Sequence, residues 1–273
     1  MSDATTREPS PRSRSRVPGA LLPVVGVAVT VAAFELAPRV GILPRDSFPP
    51  VSEMVAAVVD LTTDGDLLPA IGDTVSAWAW ALAIAVAIGI PLGALLGSSR
   101  LALLLGRSPI EFLRPIPSVV LIPVLILIYG SKPALTIALG AFGATFPLLY
   151  QAMYGIADVD PVARDTARAF RLGRVARLRA VVLPSMTPYL ATGLRLSASV
   201  ALILVVTGEY VVGVDGLGRE VFATQSGGAY DRMYAYILVA GVLGLIVNTA
   251  FGAAERRVLF WHPSQRREAE LGA

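Results

Sequence analysis

Long apolar segments alternate with shorter polar intervals along most of the chain. Six segments are apolar enough to cross a membrane, at residues 17–36, 74–97, 118–129, 134–156, 189–212 and 233–254. A helix needs about 20 apolar residues to cross the hydrocarbon core, and the third segment reaches that length only if its helix begins near Glu111. The pattern predicts an all-α polytopic membrane protein with six transmembrane helices.

Several intervals between these segments have patterns of their own. Residues 51–61 have an apolar face at helical spacing, which predicts a short amphipathic helix on the outer surface. Residues 98–117 predict an inner loop with a short interfacial helix, and residues 214–232 predict a glycine-rich outer loop. Glycines that recur every four residues in the second segment let another helix approach closely, at Gly89, Gly93 and Gly97.

The composition agrees with a membrane protein and excludes several other classes. Hydrophobic residues make up 55% of the 273-residue chain and charged residues only 16%, against about 25% in soluble domains. The chain has no cysteine and a single histidine, His262, so disulfides, thiolate metal sites and multi-histidine sites are excluded. The basic residues cluster in loops, which indicates membrane orientation and lipid headgroups rather than nucleic acid.

The two ends are predicted to be polar tails around one membrane domain. Residues 1–16 are rich in Ser, Pro and Arg and predict a disordered tail, residues 17–260 form the six-span domain, and residues 261–273 form the C-terminal tail. A basic tail before an apolar run is also typical of a signal peptide. The run is long, however, and Pro38 follows it with no clear cleavage pattern, which favours a first span.

Charge predicts the orientation of the six spans. With both termini inside, 17 basic residues face the cytoplasm and five face outward, while Arg195 lies within the fifth span. This distribution satisfies the positive-inside rule.

The interval at residues 158–186, between the fourth and fifth spans, carries six arginines separated by apolar residues at spacings near three and four. The spacing predicts one amphipathic helix, or two short helices broken near Gly173. Leu183-Pro184 and Pro188 predict that the helix ends or bends there. On these residues alone, the interval is either a solvated surface helix near anionic lipid or a docking element for a soluble partner.

Two charged residues in the fifth span are candidates for the transport pathway. Arg195 lies about two turns into the span, where it either snorkels to the inner headgroups or forms an inner gate or a contact to the arginine-rich interval. Glu209 lies near the outer end, either solvated at the interface or tethering the glycine-rich loop. An acid would oppose an anionic substrate, so Glu209 is not expected to bind one.

The arginine-rich interval also resembles a known signature, in which E-A-A is followed by Gly four residues after its last Ala and later by I-x-L-P. The matching residues are Asp165-Thr166-Ala167, Val181 and Leu183-Pro184, while Arg171 takes the glycine position with Gly173 two residues later. Other matching pieces are Gly89-Ile90-Pro91-Leu92-Gly93, Gly193-Leu194-Arg195, Glu209-Tyr210 and Gly216-Leu217-Gly218. The chain thus resembles the permease subunit of a bacterial ABC importer, of the nitrate, sulfonate and taurine type.

The resemblance implies a cell-membrane subunit that pairs with a second copy, two ABC ATPase subunits and an extracytoplasmic solute-binding protein. ATP and Mg²⁺ would bind to the ATPase, and this chain would carry no cofactor, metal or catalytic residue. It implies that the arginine-rich interval contacts the ATPase through an apolar knob with a charged rim, at Asp165, Thr166, Ala167, Phe170, Arg171, Leu172, Gly173, Leu183 and Pro184. It also implies that an outer loop contacts the binding protein, at Gly216, Leu217 and Gly218.

Two other classes compete with this interpretation. An ion-gradient-driven secondary transporter needs paired carboxylates within the membrane, but Glu35 and Glu209 both lie near span ends. A membrane-embedded enzyme needs carboxylates or histidines clustered at one depth, which the spans lack. The chain has no Gly-x-x-x-x-Gly-Lys-Ser/Thr sequence, so energy from ATP would have to come from another chain.

Overall fold

The computed structural model describes residues 21–260 apart from Arg114, and this part of the chain contains helices and no strands. Both predicted tails, residues 1–16 and 261–273, therefore lie outside the described residues. The chain divides into two compact units, residues 1–53 and 54–273. In the first unit, helix α1 (Leu21–Arg39) is followed by a loop, and the side chain of Glu35 in α1 holds the end of that loop at Ser52. Its carboxylate accepts hydrogen bonds from the backbone N–H and the hydroxyl of Ser52, both at 2.9 Å.

Helix α2 (Val51–Asp64) begins in the last residues of the first unit and continues into the second, at the place where the sequence predicts an amphipathic helix. The other helices of the second unit are α3 (Leu67–Ser98), α4 (Arg100–Leu113), α5 (Ile122–Tyr129), α6 (Pro133–Ala157), α7 (Pro161–Ala169), α8 (Arg174–Arg177), α9 (Leu183–Val212), α10 (Leu217–Ser226) and α11 (Tyr230–Val258).

Four long apolar stretches of the described residues can each cross a membrane: Leu67–Ser98, Pro133–Ala157, Arg174–Ser226 and Tyr230–Val258. A bent pair of helices, Arg100–Leu113 and Ser118–Tyr129, raises the number to five if the pair forms one span. The polytopic all-helical class is thus confirmed.

The third predicted span differs from its expected form. Helix α4 contains Glu111 but ends at Leu113, and the next helical stretch, Ser118–Tyr129, is bent from it by 83°. The physical reason is Pro115 and Pro117, which lack backbone N–H donors and restrict the residues before them. The condition of one continuous helix from near Glu111 is therefore not met.

The core of the second unit forms where α3, α6 and α9 pack together. The predicted glycine stripe of α3 faces α6 in close approach. A Cβ atom on Gly93 would lie 2.2 Å from the carbonyl oxygen of Leu149, and one on Gly89 would lie 2.9 Å from that of Thr145. The expectation of close helix approach is confirmed, because any larger side chain would push the two backbones apart.

The start of the fifth span also differs from the prediction. The chain stays helical through Pro184 and Pro188, because a π-helical turn at Leu178–Val182 joins α8 to α9. The π turn shifts the backbone hydrogen bonds by one residue just before Pro184, and Pro188 lies inside α9. The helix therefore does not end at Leu183-Pro184, and the fifth helical span begins well before residue 189.

Candidate functional site

Helix α7 forms the first half of the arginine-rich interval, and both its beginning and its position are held by side chains. Asp160 caps it by accepting the backbone N–H of Val162 at 2.8 Å, and Pro161 occupies the first turn. The guanidinium of Arg164 donates to the carbonyl oxygen of Ile156 in α6. The hydrogen bond from Arg164 thus ties α7 to the end of a membrane helix.

The break after α7 is a Schellman turn with arginine at the position that usually requires glycine. Arg171 has a φ of +54°, and it is the one non-glycine with positive φ among the described residues. Its N–H donates to the carbonyl of Arg168 at 2.9 Å, and the N–H of Leu172 donates to that of Ala167 at 3.0 Å. These two bonds define the motif, which usually places glycine in the left-handed conformation.

This geometry confirms a break close to Gly173 but corrects its cause. Gly173 has a φ of −62°, which any residue can adopt, and it begins α8. Arg171, at the glycine position of the signature, makes the turn instead. The left-handed conformation costs a side-chain-bearing residue about 1–2 kcal/mol, so the surrounding turn must hold it in place.

The turn presents apolar side chains to the outside of the chain. Phe170 is 77% exposed and Leu172 is 39% exposed, whereas Ala167 is only 3% exposed. Asp165 and Thr166 are exposed on α7, and Asp165 pairs with Arg168 at 3.1 Å. The expected knob therefore consists of Phe170 and Leu172 without Ala167, which packs inside the chain.

Leu183 and Pro184 lie apart from this exposed turn. They form the first turn of α9, directly after the π-helical segment. Their place in the structure is the junction between the arginine-rich interval and the fifth span, and both side chains are exposed there.

A second cluster lies at the other end of α9, around a fully buried carboxylate. Glu209 has no exposed surface, and its Oε2 accepts the hydroxyl of Thr74 at 2.9 Å and the N–H of Gly218 at 3.0 Å. The hydroxyl oxygen of Thr74 in turn accepts the N–H of Leu217 at 2.9 Å. Glu209 and Thr74 thus join α9, α3 and α10. The predicted tether is present, and Glu209 is not solvated.

Glycine is required where the chain passes this carboxylate. Gly216 has a φ of +146°, and a Cβ atom there would lie 2.3 Å from Cδ of Glu209. A Cβ atom on Gly218 would lie 2.2 Å from the carbonyl oxygen of Val206. The backbone of α10 can approach α9 so closely only because both positions lack a side chain.

The three residues named for the outer contact loop are part of this packing. Gly216, Leu217 and Gly218 are all buried within the chain, so they present no surface to a partner. The glycine-rich interval also contains a helix, α10, whose exposed face includes Phe222. These three residues therefore position the helix, and the contact of this loop with a binding protein stays a prediction.

Arg195 pairs with the last membrane helix. Its guanidinium lies 3.2 Å from Glu255 Oε2, and the hydroxyl of Thr192 donates to Glu255 Oε1 at 3.1 Å. The side chain of Arg195 is 40% exposed and that of Glu255 is 12% exposed. The interval at residues 158–186 was one predicted partner of Arg195, but the observed partner, Glu255, lies outside that interval.

The sequence interpretation missed both partners, Thr74 and Glu255. The predicted sixth span ends at residue 254, just before Glu255, whereas α11 continues to Val258. A carboxylate three residues before the end of a long helix, with arginine in a neighbouring span, was the available signal. Across the described stretches, no group of three or more His, Cys, Asp or Glu side chains is placed to hold a metal ion.

Comparisons with known proteins agree with this arrangement. Residues 89–260, which include the arginine-rich interval and Glu209 but not Thr74, match the family described as binding-protein-dependent transport system inner membrane component. The chain is 24% identical over 262 residues to the aliphatic sulfonates transport permease protein SsuC of Bacillus subtilis, covering 96% of this chain and 94% of that one. It is 24% identical over 197 residues to the nitrate import permease protein NrtB of Leptolyngbya laminosa, covering 72% and 71%.

A solved structure of the MetNI methionine ABC transporter supports the same fold. Its matching chain superposes with a TM-score of 0.61 at 18% identity, covering 70% of this chain and 95% of that one. The chain belongs to the family of binding-protein-dependent transport system inner membrane components. It is thus a permease subunit of an ABC importer and not an enzyme, and the secondary-transporter and membrane-enzyme alternatives are set aside.

Proposed function

We propose that this permease forms the translocation pathway for a small anion, such as a sulfonate, taurine or nitrate, which an extracytoplasmic binding protein delivers. Two relatives support this substrate class, since one is named for aliphatic sulfonates and the other for nitrate. Two copies of the chain would enclose the pathway, and two ATPase subunits would drive it, with ATP and Mg²⁺ bound to them.

The exposed turn at Phe170 and Leu172 is the observation that supports a role in coupling to the ATPase. Exposed apolar side chains at the tip of a short helical hairpin are costly in water unless a partner covers them. The arginines around the tip would attract acidic residues of an ATPase and speed the encounter. In this proposal the hairpin at residues 158–186 transmits ATP-driven closure of the ATPases to α9.

The orientation follows from the same proposal. The membrane domain crosses six times, with α1 as the first span and the bent pair α4 and α5 completing the third. Both termini and the hairpin face the cytoplasm, in agreement with the excess of basic residues on that side. Helix α10 then faces outward, where its exposed side, including Phe222, would meet the binding protein.

Purification of the tagged chain from native membranes in mild detergent tests the proposal. We expect a P-loop ATPase to copurify at about equal stoichiometry. The ligand of the binding protein encoded with it then identifies the substrate. A chain that purifies without an ATPase and still supports uptake driven by an ion gradient would overturn the proposed mechanism.

A further inference from the structure

Four arginines of the hairpin surround one cavity of about 410 Å³. Arg164 and Arg168 reach it from α7, and Arg174 and Arg177 reach it from α8. The ends of α3 and α6 close its other side, where Ser98 lines the wall. The cavity lies on the side of α7 away from a second groove, which Phe170 and Leu172 line.

The four arginines differ in how far their charge is already neutralised. Arg164 donates to the Ile156 carbonyl, and Arg168 pairs with the exposed Asp165 at 3.1 Å. Neither Arg174 nor Arg177 forms an ion pair with any residue of the described chain. Among the residues that the structure describes, no carboxylate lines the cavity. The wall therefore carries a concentrated positive charge that is only partly neutralised, with Arg174 and Arg177 lacking a counter-charge among the described residues.

Concentrated guanidinium groups are the arrangement that proteins use for phosphate-like anions. Each guanidinium offers several N–H donors in a planar fork that matches two oxygens of such an anion. Like charges drawn together are also unfavourable until an anion neutralises them. A cavity of this volume accepts a tetrahedral oxyanion or a phospholipid headgroup with room for water.

We propose that this cavity binds a phosphate-class oxyanion, either free or as the headgroup of an anionic phospholipid. The anion would bridge α7 and α8 on both sides of the Arg171 turn, and so restrain the hairpin relative to α9. Binding requires neither the ATPase nor the transported solute, so a failure of this proposal leaves the proposed transport function untouched.

Native mass spectrometry of the purified full chain tests the site with two probes, inorganic phosphate and phosphatidylglycerol in neutral-lipid nanodiscs. The test variant is R174Q/R177Q. The control is R179Q/R257Q, which removes the same charge at exposed arginines that do not line the cavity. We expect the test variant to weaken binding of at least one probe by about tenfold or more, because charge-assisted hydrogen bonds are lost. The control should stay within about twofold of the original chain, since it keeps every such bond.

The probe that the test variant fails to bind shows whether the site takes a free anion or a lipid headgroup. Loss of phosphate binding assigns the site to a free anion, and loss of phosphatidylglycerol alone assigns it to a headgroup. The R174K/R177K variant keeps the charge and should bind more weakly than the original but better than the glutamine variant. Equal loss in the control, or no binding of either probe, would overturn the proposal. Loss of ATPase copurification without anion binding would instead assign the arginines to protein docking.

Discussion

The hydroxyl of Thr74 lies 2.9 Å from Oε2 of Glu209, although 135 residues separate them in the sequence. Both side chains are fully buried, and the same hydroxyl oxygen accepts the N–H of Leu217. One threonine therefore donates to one oxygen of a buried carboxylate and accepts a buried backbone N–H. A buried polar group without a partner costs far more than an exposed one, so this contact fixes where α10 begins.

Replacement of Thr74 tests that contact. Thr74→Val keeps the shape but removes the hydroxyl, leaving the Leu217 N–H without an acceptor. We expect the free energy of unfolding to fall by about 1–3 kcal/mol. Thermal unfolding of the chain in detergent measures the change. Thr74→Ser keeps the hydroxyl and should retain most of the stability, while an unchanged midpoint in the valine variant would contradict the role of the hydrogen bonds.

Alanine substitutions at two glycines separate backbone strain from steric overlap. Gly213 and Gly216 both have positive φ, but a Cβ atom at Gly213 meets nothing within 4 Å, whereas one at Gly216 meets the Glu209 carboxyl. Gly213→Ala should cost about 1–2 kcal/mol of strain. Gly216→Ala should cost clearly more and expose α10 to proteolysis. Equal unfolding midpoints for the two variants would show that the overlap is relieved without cost.

A third prediction concerns the turn after α7. Because Arg171 holds a φ of +54°, Arg171→Gly should stabilise the chain by about 1 kcal/mol, measured as a raised unfolding midpoint. Gly173→Ala is the control, since its φ is −62° and a Cβ there meets nothing within 4 Å. That variant should be neutral or slightly stabilising. Strong destabilisation by Gly173→Ala would instead show that Gly173 is the residue that makes the turn.

Substitutions at the exposed turn after α7 should affect the proposed ATPase partner, and substitutions on the exposed side of α10 should affect the proposed binding protein. Leu172→Asp and Asp165→Arg should abolish uptake and recovery of the ATPase while leaving membrane insertion intact, because they alter the proposed ATPase contact. Phe222→Asp on α10 should retain the ATPase but reduce uptake that depends on the binding protein. Uptake assays with copurification measure both. Normal uptake by the Leu172 and Asp165 variants would contradict the docking role.

The pair between α9 and α11 gives a fifth prediction. Arg195→Gln leaves Glu255, which is 12% exposed, without its cation. Because Arg195 itself is partly exposed, the loss of stability should be about 1 kcal/mol. The exchange of the two charges, Arg195→Glu with Glu255→Arg, should recover part of it in a double-mutant cycle. Additive losses from the single variants would show that the two side chains do not interact.

Local pattern was sufficient for much of the fold. Apolar length and helical spacing predicted α2, α6, α11 and the glycine stripe of α3, because these features depend on residues within a few turns of one another. The helix ends predicted from the sequence differ from the structure at two pairs of prolines. At Pro115 and Pro117 the helix breaks, whereas at Pro184 and Pro188 it continues through a π turn. Proline removes a hydrogen bond in both places, and only the surrounding packing decides how the chain compensates.

The sequence by itself determined a polytopic helical membrane protein, the interval that holds the candidate coupling residues and the presence of a charged residue in the fifth span. Only the tertiary structure decided that Glu209 is buried against Thr74, that Arg171 rather than Gly173 takes the left-handed conformation, and that Arg195 pairs with Glu255. The physical reason is distance along the chain. Helical periodicity depends on residues close together in the sequence, whereas the partner of a buried charge depends on how segments far apart in the sequence pack together.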